Sequence, residues 1–231
     1  MDATPLFTGA VQILVVLLGV TAHEAAHAFT AQRLGDPTAA MLGRASFNPL
    51  RHLDPIGSVL VPVVLVMLGM PVFGWGRPTP VLVHNFQRPR RDDILVTAAG
   101  AFANSFLAVA ATLVLPIAAA ALGPQARQAG DLTLLHHFQQ AGTLAGFPIV
   151  FTLLQIAYIN AFLVVFNLIP LPPFDGGQIV LYLMPQDWAP RLAAVRPYGF
   201  PIGIFLAVFP VLTVLLLPFT VVLNVLLHLT G

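Results

Sequence analysis

Two histidines and the only glutamate of the chain lie together near its amino terminus. His23 and His27 are four residues apart in the stretch TAHEAAHAF, and Glu24 directly follows the first histidine. On a helix, residues four apart lie one above the other on the same face. The two imidazoles could therefore bind one Zn²⁺ while the carboxylate reaches the water on the metal, which is the chemistry of a hydrolytic zinc site.

The same H-E-x-x-H pattern also arises by chance on solvated surfaces of soluble helices. Here it lies in an apolar run, residues 6–32, which is longer than the roughly 20 residues that cross a bilayer. A glutamate at the centre of a membrane costs on the order of 3 kcal/mol and therefore faces a partner or a wet cavity. The membrane setting favours a metal site over a solvated surface.

A catalytic zinc also needs a third protein ligand and an open position for water. The chain has no cysteine, so this ligand is predicted to be His, Asp or Glu, and Glu24 is the only glutamate. Among the aspartates, only Asp175 lies beside a helix break within an apolar segment. An aspartate in FDGG is also an ordinary cap or turn residue, but the need for a third ligand favours Asp175.

The composition is that of a polytopic membrane protein. Of the 231 residues, 58% are hydrophobic and 8% are charged, and the mean hydropathy is +0.88, whereas soluble domains carry roughly 25% charged residues. The net charge of +1 argues against a nucleic-acid partner. The amino terminus has no basic region, so no cleavable signal peptide is expected.

Apolar runs and helix breakers predict an all-α fold with about five to six membrane segments. Full spans are expected at residues 6–32, at 94–122 and from 147 onward, and residues 200–229 form one more span or a kinked pair. Prolines and glycines in NLIPLPPFDGG (167–177) break the third span within the membrane. Such a break is tolerated only where the freed backbone is buried in protein or lines a cavity.

A shared metal ion would fix the directions of the spans. If His27 and Asp175 bind one ion, the first and third spans run toward the same face, and the second begins there. Residues 34–92 must then leave that face and return to it. We expect a re-entrant excursion in which 56–73 enters and the Gly- and Pro-rich 74–87 returns, forming a short extended hairpin. Most arginines then lie on this face, which the positive-inside rule makes cytoplasmic.

Together, these motifs resemble those of the site-2 protease family of intramembrane zinc metalloproteases. HEAAH and NLIPLPPFDGG match the two metal motifs of that family in order, the second having the form N-x-x-P-x-x-x-x-D-G. AAGAFANSF (98–106) resembles its G-x-x-x-N element, with Ala101 in place of the frequent Pro, and GWGRPTPVLVHNF resembles the extended segment of compact bacterial members. The resemblance covers about residues 8–185, without a PDZ-like or CBS-like domain.

The resemblance implies one Zn²⁺ per chain, bound by His23, His27 and Asp175. Glu24 would be the general base, and Asn167 would stabilise the substrate carbonyl or the developing oxyanion. Residues 1–231 would form a single membrane-embedded peptidase domain, with a catalytic core at 8–185 and a C-terminal helical segment at 200–229. Its substrates would be transmembrane segments of membrane proteins or signal-peptide remnants. Its place would be the cell membrane, the inner one in bacteria, with the active site nearer the cytoplasmic face.

The rival interpretation is a zinc-binding membrane protein without proteolysis, either a transporter or an inactive homologue. A transporter needs no base beside its ligands, and an inactive homologue would typically have lost Glu24 or Asp175; this chain retains both. Outside the site, His52 and His84 are expected to be surface histidines rather than groups that line a pathway or gate the substrate. Asn104 is expected either to bond neighbouring backbone or to line the site. The edge of the returning segment either pairs with an unwound substrate or is merely structural, and the oligomeric state is left open.

Overall fold

The computed structural model describes residues 4–70, 72–123, 148–185, 187–208 and 211–229, and within these ranges it contains helices and no β-strand. Residues 124–147, which include His136 and His137 and connect the second and third expected spans, lie outside the described residues. The elements, in chain order, are α1 (Thr4–Arg33), α2 (Thr38–Met41), a 3₁₀ turn (Pro49–Arg51), a π-helical turn (Pro55–Leu60) that continues into α3 (Val61–Met67), a 3₁₀ turn (Val83–Asn85), α4 (Pro89–Leu122), α5 (Pro148–Asn167), α6 (Asp175–Leu183), α7 (Ala189–Ala193), α8 (Arg196–Val208) and α9 (Val211–Leu229).

Helices α1, α4 and α5 are long and apolar enough to cross a membrane. They correspond to the three full spans expected from the sequence. Helix α4 begins at Pro89, five residues before the expected start. Proline suits the first position of a helix because its missing N–H would have no partner there. The carboxylate of Asp92 then accepts the backbone N–H of Arg88 at 3.0 Å, which satisfies a donor at the new helix start.

The three long helices pack side by side in alternating directions. Phe7 of α1 packs with Leu115 near the end of α4 and Phe151 near the start of α5. At the other end of α1, His27 contacts Val96 near the start of α4. Helix α4 therefore runs antiparallel to α1, and α5 runs parallel to it, which is the set of directions that a shared metal requires.

Aromatic side chains fasten the irregular segments to α5. Phe73 packs against Phe162 and Phe166 with ring centroids 6.1 and 6.3 Å apart, and Phe174 meets Phe166 edge-on at 4.8 Å. In lipid, where water exclusion between helices is weak, such close packing is a main source of stability. This packing holds the irregular segments that contain Phe73 and Phe174 against α5.

Residues 55–82 travel away from the His27 end of α1 and come back to it. Val66 of α3 packs against Gly9 near the start of α1. On the way back, Gly76 lies against Val20, and Thr79 is hydrogen-bonded to Glu24. The chain thus runs along most of the length of α1 toward its amino-terminal end and then returns toward His27.

The returning residues 72–82, hereafter the return segment, have no regular secondary structure. Three of its backbone N–H groups, two residues apart, donate on the same side: that of Trp75 to the Gly57 carbonyl (3.2 Å), that of Arg77 to the His52 carbonyl (2.8 Å) and that of Thr79 to the Glu24 carboxylate (2.8 Å). This period of two is the pattern of an extended chain. The acceptors belong to turns and a side chain, so pairing with a second strand is not confirmed.

The polar connection after α1 is more compact than its composition indicates. His52 is 1% exposed, and its Nε2 lies 2.8 Å from the carbonyl oxygen of Ser46. The expectation of a surface histidine at 52 is therefore wrong, because the Gly- and Asn-containing loop folds over the ring. His84 is exposed, as expected.

The side chain of Asp36 links the residues just after α1 to the end of the return segment. Its buried carboxylate accepts hydrogen bonds from Thr38, from the backbone N–H of Leu82 (2.7 Å) and from the Asn85 amide (2.7 Å). Hydrogen bonds to an ionised acceptor contribute roughly 1.5–3 kcal/mol each. The far end of the return segment is thereby fixed to the end of α1.

The C-terminal segment consists of two helices, with α8 ending at Val208 and α9 beginning at Val211. Pro218 lies inside α9, and Pro210 lies outside the described residues. Phe200 of α8 packs edge-on against Trp75 of the return segment at 4.8 Å. The C-terminal segment therefore contacts the core and is not a detached tail.

Candidate active site

Three side chains from distant parts of the sequence meet at one point. The Nε2 atoms of His23 and His27 lie 3.1 and 3.5 Å from Oδ2 of Asp175. The three potential ligand atoms all lie within 4.8 Å of one another. Both histidines are buried and Asp175 is half-buried. The predicted metal ligands are thus brought together.

A close helix contact shapes the pocket around the histidines. A Cβ atom at Gly100 of α4 would lie 2.5 Å from Cε1 of His23 and 2.6 Å from Nε2 of both histidines. Any larger residue would therefore collide with the rings. The G-x-x-x-N element provides the space in which the two imidazoles face Asp175.

The break after α5 positions the third potential ligand, the carboxylate of Asp175. Helix α5 ends at Asn167, and α6 begins at Asp175. Between them the chain turns through a proline-rich segment whose Pro172–Pro173 peptide bond is cis. Gly176 and Gly177 of α6 pack directly on the backbone of that turn, which sets the first turn of α6 against the histidines.

Helix α6 is also held to the start of α4. The side-chain amide of Gln178 donates to the buried carboxylate of Asp93 at 3.2 Å, and the guanidinium of Arg90 donates to the carbonyl of Tyr182. Because Gln178 lies one turn after Asp175, these contacts fix the orientation of the turn that carries the ligand. Asp93 was not predicted to be a functional residue.

Glu24 lies beside the histidines and is held by the return segment. Its Oε2 accepts the backbone N–H of Thr79 at 2.8 Å, and the Thr79 hydroxyl donates to the Glu24 carbonyl at 3.1 Å. One carboxylate oxygen is thus fixed, and the other can act on a water. Thr79 was not predicted as a functional residue, since a backbone N–H is the same in every residue except proline.

The site opens into a cavity of about 410 Å³. Its walls include the five predicted site residues, the return segment at Gly74 and Gly76, and Asn104 of α4. Asn104 is fully buried, and its amide makes no hydrogen bond to the described residues. It therefore lines the site rather than bonding neighbouring backbone. Asn167 also faces the cavity, while its amide nitrogen donates to the Leu163 carbonyl at 2.9 Å.

The donor set fits a catalytic zinc ion. Two imidazole nitrogens and one carboxylate oxygen are the protein ligands of many such sites, where the fourth position is left for water. Oδ2 of Asp175 is buried, and the two facing imidazoles are its only close polar neighbours among the described residues. His27 presents its other nitrogen, Nδ1, to the Val96 carbonyl at 2.7 Å, as metal-binding histidines commonly do.

The chain is similar to known proteins over most of its length. Peptidase family M50 matches residues 11–210. A Bacillus subtilis protein named "Putative zinc metalloprotease YwhC" is 33% identical over 207 residues, covering 89% of this chain and 84% of the relative. A Mycolicibacterium smegmatis protein named "Putative zinc metalloprotease Rip2" is 31% identical over 212 residues, covering 90% of this chain and 71% of the relative. No solved structure matches the chain.

The matched region contains all five predicted site residues. Three of them form the candidate metal centre, and long apolar helices surround it. The rival of a zinc-binding protein without proteolysis is not favoured by the relatives, which are named as metalloproteases. The chain therefore belongs to peptidase family M50, the site-2 protease family, and is a multi-pass intramembrane zinc metalloprotease.

Proposed function

We propose that His23, His27 and Asp175 bind one zinc ion per chain and that Glu24 is the general base. The enzyme would hydrolyse peptide bonds within or near transmembrane segments of membrane proteins, or in signal-peptide remnants. The observation that carries the proposal is the convergence of the three ligand atoms within 4.8 Å, beside a carboxylate that takes no part in the cluster. A transporter would have no use for that carboxylate.

Bound zinc would supply a water of lowered pKa and a positive charge near the scissile carbonyl. Glu24 would take a proton from the water and pass it to the leaving amine. The Thr79 N–H keeps one oxygen of Glu24 occupied, so the other carries out the proton transfer. Asn167, at the cavity wall, would donate to the substrate carbonyl after its amide turns away from Leu163.

The direct test is cleavage of a model transmembrane substrate by the purified protein loaded with zinc. We expect a product band that disappears after treatment with a chelator and returns when zinc is added back. Cleavage that persists at full rate in metal-free protein would contradict the proposed mechanism. Zinc binding without cleavage of any tested substrate would favour the rival protein without proteolysis.

The return segment is proposed to bind the substrate as an added strand. The N–H groups of Trp75, Arg77 and Thr79 already have acceptors on one edge of the segment, so those of Gly74 and Gly76, which also line the cavity, lie on the opposite edge. An unwound substrate could pair with that edge. Such pairing would expose a peptide bond that helical hydrogen bonds otherwise shield.

Replacing Thr79 with proline tests whether this segment also positions the base. Proline removes the N–H that binds Glu24 but accepts the extended conformation between Pro78 and Pro80. We expect kcat to fall by about 10²-fold, since small misplacements of catalytic groups have effects of this size. Thr79→Ala keeps the N–H and is the matched control, with a much smaller change. Equal kcat values for the two variants, measured from initial cleavage rates, would contradict the role.

In the membrane, residues 55–82 are proposed to form the re-entrant excursion. Together with α1, α4, α5 and the C-terminal helices, the excursion would complete five to six membrane segments. The end of the bundle that carries Arg33 and Arg88 would face the cytoplasm by the positive-inside rule, in the cell membrane of a bacterium. Residues 1–231 would then form a single peptidase domain, with its core at 8–185 and the C-terminal helices packed on it through Phe200.

Single cysteines test this topology cleanly, because the chain has none of its own. Met41 and Gln87 are exposed on either side of the excursion, and Leu122 is exposed at the far end of α4. In intact cells, we expect a membrane-impermeant maleimide to label Leu122→Cys but not Met41→Cys or Gln87→Cys. Labelling of Met41→Cys and Gln87→Cys from opposite sides would overturn the re-entrant topology.

A further inference from the structure

The two histidines of the site differ in what their second ring nitrogen contacts. Nδ1 of His27 lies 2.7 Å from the Val96 carbonyl, whereas Nδ1 of His23 is buried without a hydrogen-bond partner among the described residues. When Nε2 of His23 binds zinc, as proposed, its lone pair faces the metal, so Nδ1 carries the hydrogen and is a donor. Metal-binding histidines usually give this hydrogen to an oxygen, which fixes the ring. His23 therefore needs an acceptor.

Two asparagine side chains in the same helical interface have unpaired oxygens. Asn104 of α4 is 0% exposed, and neither end of its amide is paired; Asn160 of α5 is 1% exposed, and its Oδ1 is unpaired. The Nδ2 of Asn160 donates to the Ile156 carbonyl at 2.8 Å, which directs Oδ1 away from its own helix. Buried polar atoms are rarely left without a partner. Among the described residues, the interface thus contains two unpaired acceptor oxygens, one on each asparagine, and two unpaired donors, Nδ1 of His23 and Nδ2 of Asn104.

Asn160 lies next to the turn of α1 that His23 covers. A Cβ atom at Gly19 would be 3.0 Å from Oδ1 of Asn160. Gly19 is one turn before His23 on the same face of α1, and helical side chains lean toward the amino terminus. The His23 ring therefore extends over Gly19, toward the oxygen of Asn160.

Asn104 approaches the same point from α4. Cε1 of His23 faces Gly100 of α4, and Nδ1 is bonded to Cε1, so Nδ1 lies on the α4 side of the ring. Asn104 is one turn after Gly100 on the same face of α4. Because α4 is antiparallel to α1, that turn lies level with Gly19. Asn104 and Asn160 thus lie about one helical turn from the His23 ring, on α4 and α5.

We infer that Asn104 and Asn160 are positioning residues for the metal centre. One ordered water accepts the Nδ1 hydrogen of His23 and donates to the side-chain oxygens of both asparagines, because neither oxygen is hydrogen-bonded to Nδ1 directly. This bridge holds Nε2 of His23 toward Asp175. The pair does for His23 what the Val96 carbonyl does for His27. The inference rests on the proposed role of His23 as a zinc ligand.

The test measures zinc affinity of the full-length protein by competition with a chelator of known affinity. Asn160→Leu and Asn104→Leu remove the acceptors and keep the branched shape of the side chain. We expect each to weaken zinc binding by about 10- to 100-fold, which is the usual effect of losing an outer partner of a ligand. Gln155→Leu is the matched control, because Gln155 is a buried amide on the same helix that does not line the metal cavity. Its zinc affinity should equal that of wild type.

Wild-type zinc affinity in both asparagine variants would overturn the inference. For Asn104, an increase in KM with unchanged zinc affinity would mean that the amide contacts substrate instead, and would overturn its positioning role. Where a leucine variant does not fold, Asn→Ala at the same position, which adds no bulk, carries the same expectation. Full zinc retention by an Asp175→Ala variant would instead overturn the proposed zinc site, so the two failures are distinguishable.

Discussion

Replacing Glu24 with glutamine is expected to lower peptide cleavage by about 10²–10⁴-fold, the usual contribution of a general base. Glutamine has the shape of glutamate and keeps an oxygen that accepts the Thr79 N–H. It cannot take up a proton at pH 7, so the water is not activated. Because Glu24 is not one of the three converging groups, the variant should bind one zinc per chain like wild type.

The measurement pairs initial cleavage rates with zinc content of the same preparations. Asp187→Asn is the control for loss of a carboxylate, since Asp187 is exposed and outside the cavity, and its activity should be that of wild type. Cleavage by Glu24→Gln at the wild-type rate would refute the assigned base. Loss of zinc from Glu24→Gln would show that the carboxylate belongs to the metal centre.

Replacing Asp175 with alanine is expected to remove most of the bound zinc and all measurable cleavage. Two imidazoles alone hold zinc far less tightly than the three protein ligands of a catalytic site. The loss should exceed the roughly 10- to 100-fold effect of an outer partner. Zinc content after dialysis against a chelator gives the direct readout.

Two further variants separate ligand loss from misfolding. Asp175→Asn keeps the size of the side chain at the start of α6 but gives up its charge, and it should also lose zinc. Asp187→Ala removes an exposed carboxylate elsewhere, and its zinc content should be unchanged. If Asp175→Ala retains one zinc per chain under the same dialysis, Asp175 is not the third ligand.

The meeting of His23, His27 and Asp175 could be predicted because each signal has a simple physical basis. A spacing of four residues places two histidines on one helix face. A carboxylate within an apolar segment is costly unless it has a partner, which pointed to Glu24 and Asp175. The three long spans were found for a similar reason, since length and hydropathy depend on sequence alone.

Other features depend on contacts that residue type does not encode. Thr79 acts through its backbone N–H, and Val96 through its carbonyl, so neither has a signature in the sequence. His52 was misplaced because a loop of glycine, asparagine and arginine gives no sign that it folds over a ring. Helix α4 begins at Pro89, earlier than expected, because capping of its first turn outweighs the polarity of the arginines there.

The period of two along the return segment constrains its length. Between Trp75 and Thr79, every second N–H donates to a turn or to Glu24. One inserted or deleted residue in this stretch would exchange the two edges, because alternate residues of an extended chain face opposite sides. Thr79 would then turn its N–H away from Glu24. The segment should therefore accept no single-residue change in length, a constraint on how homologous enzymes can diverge here.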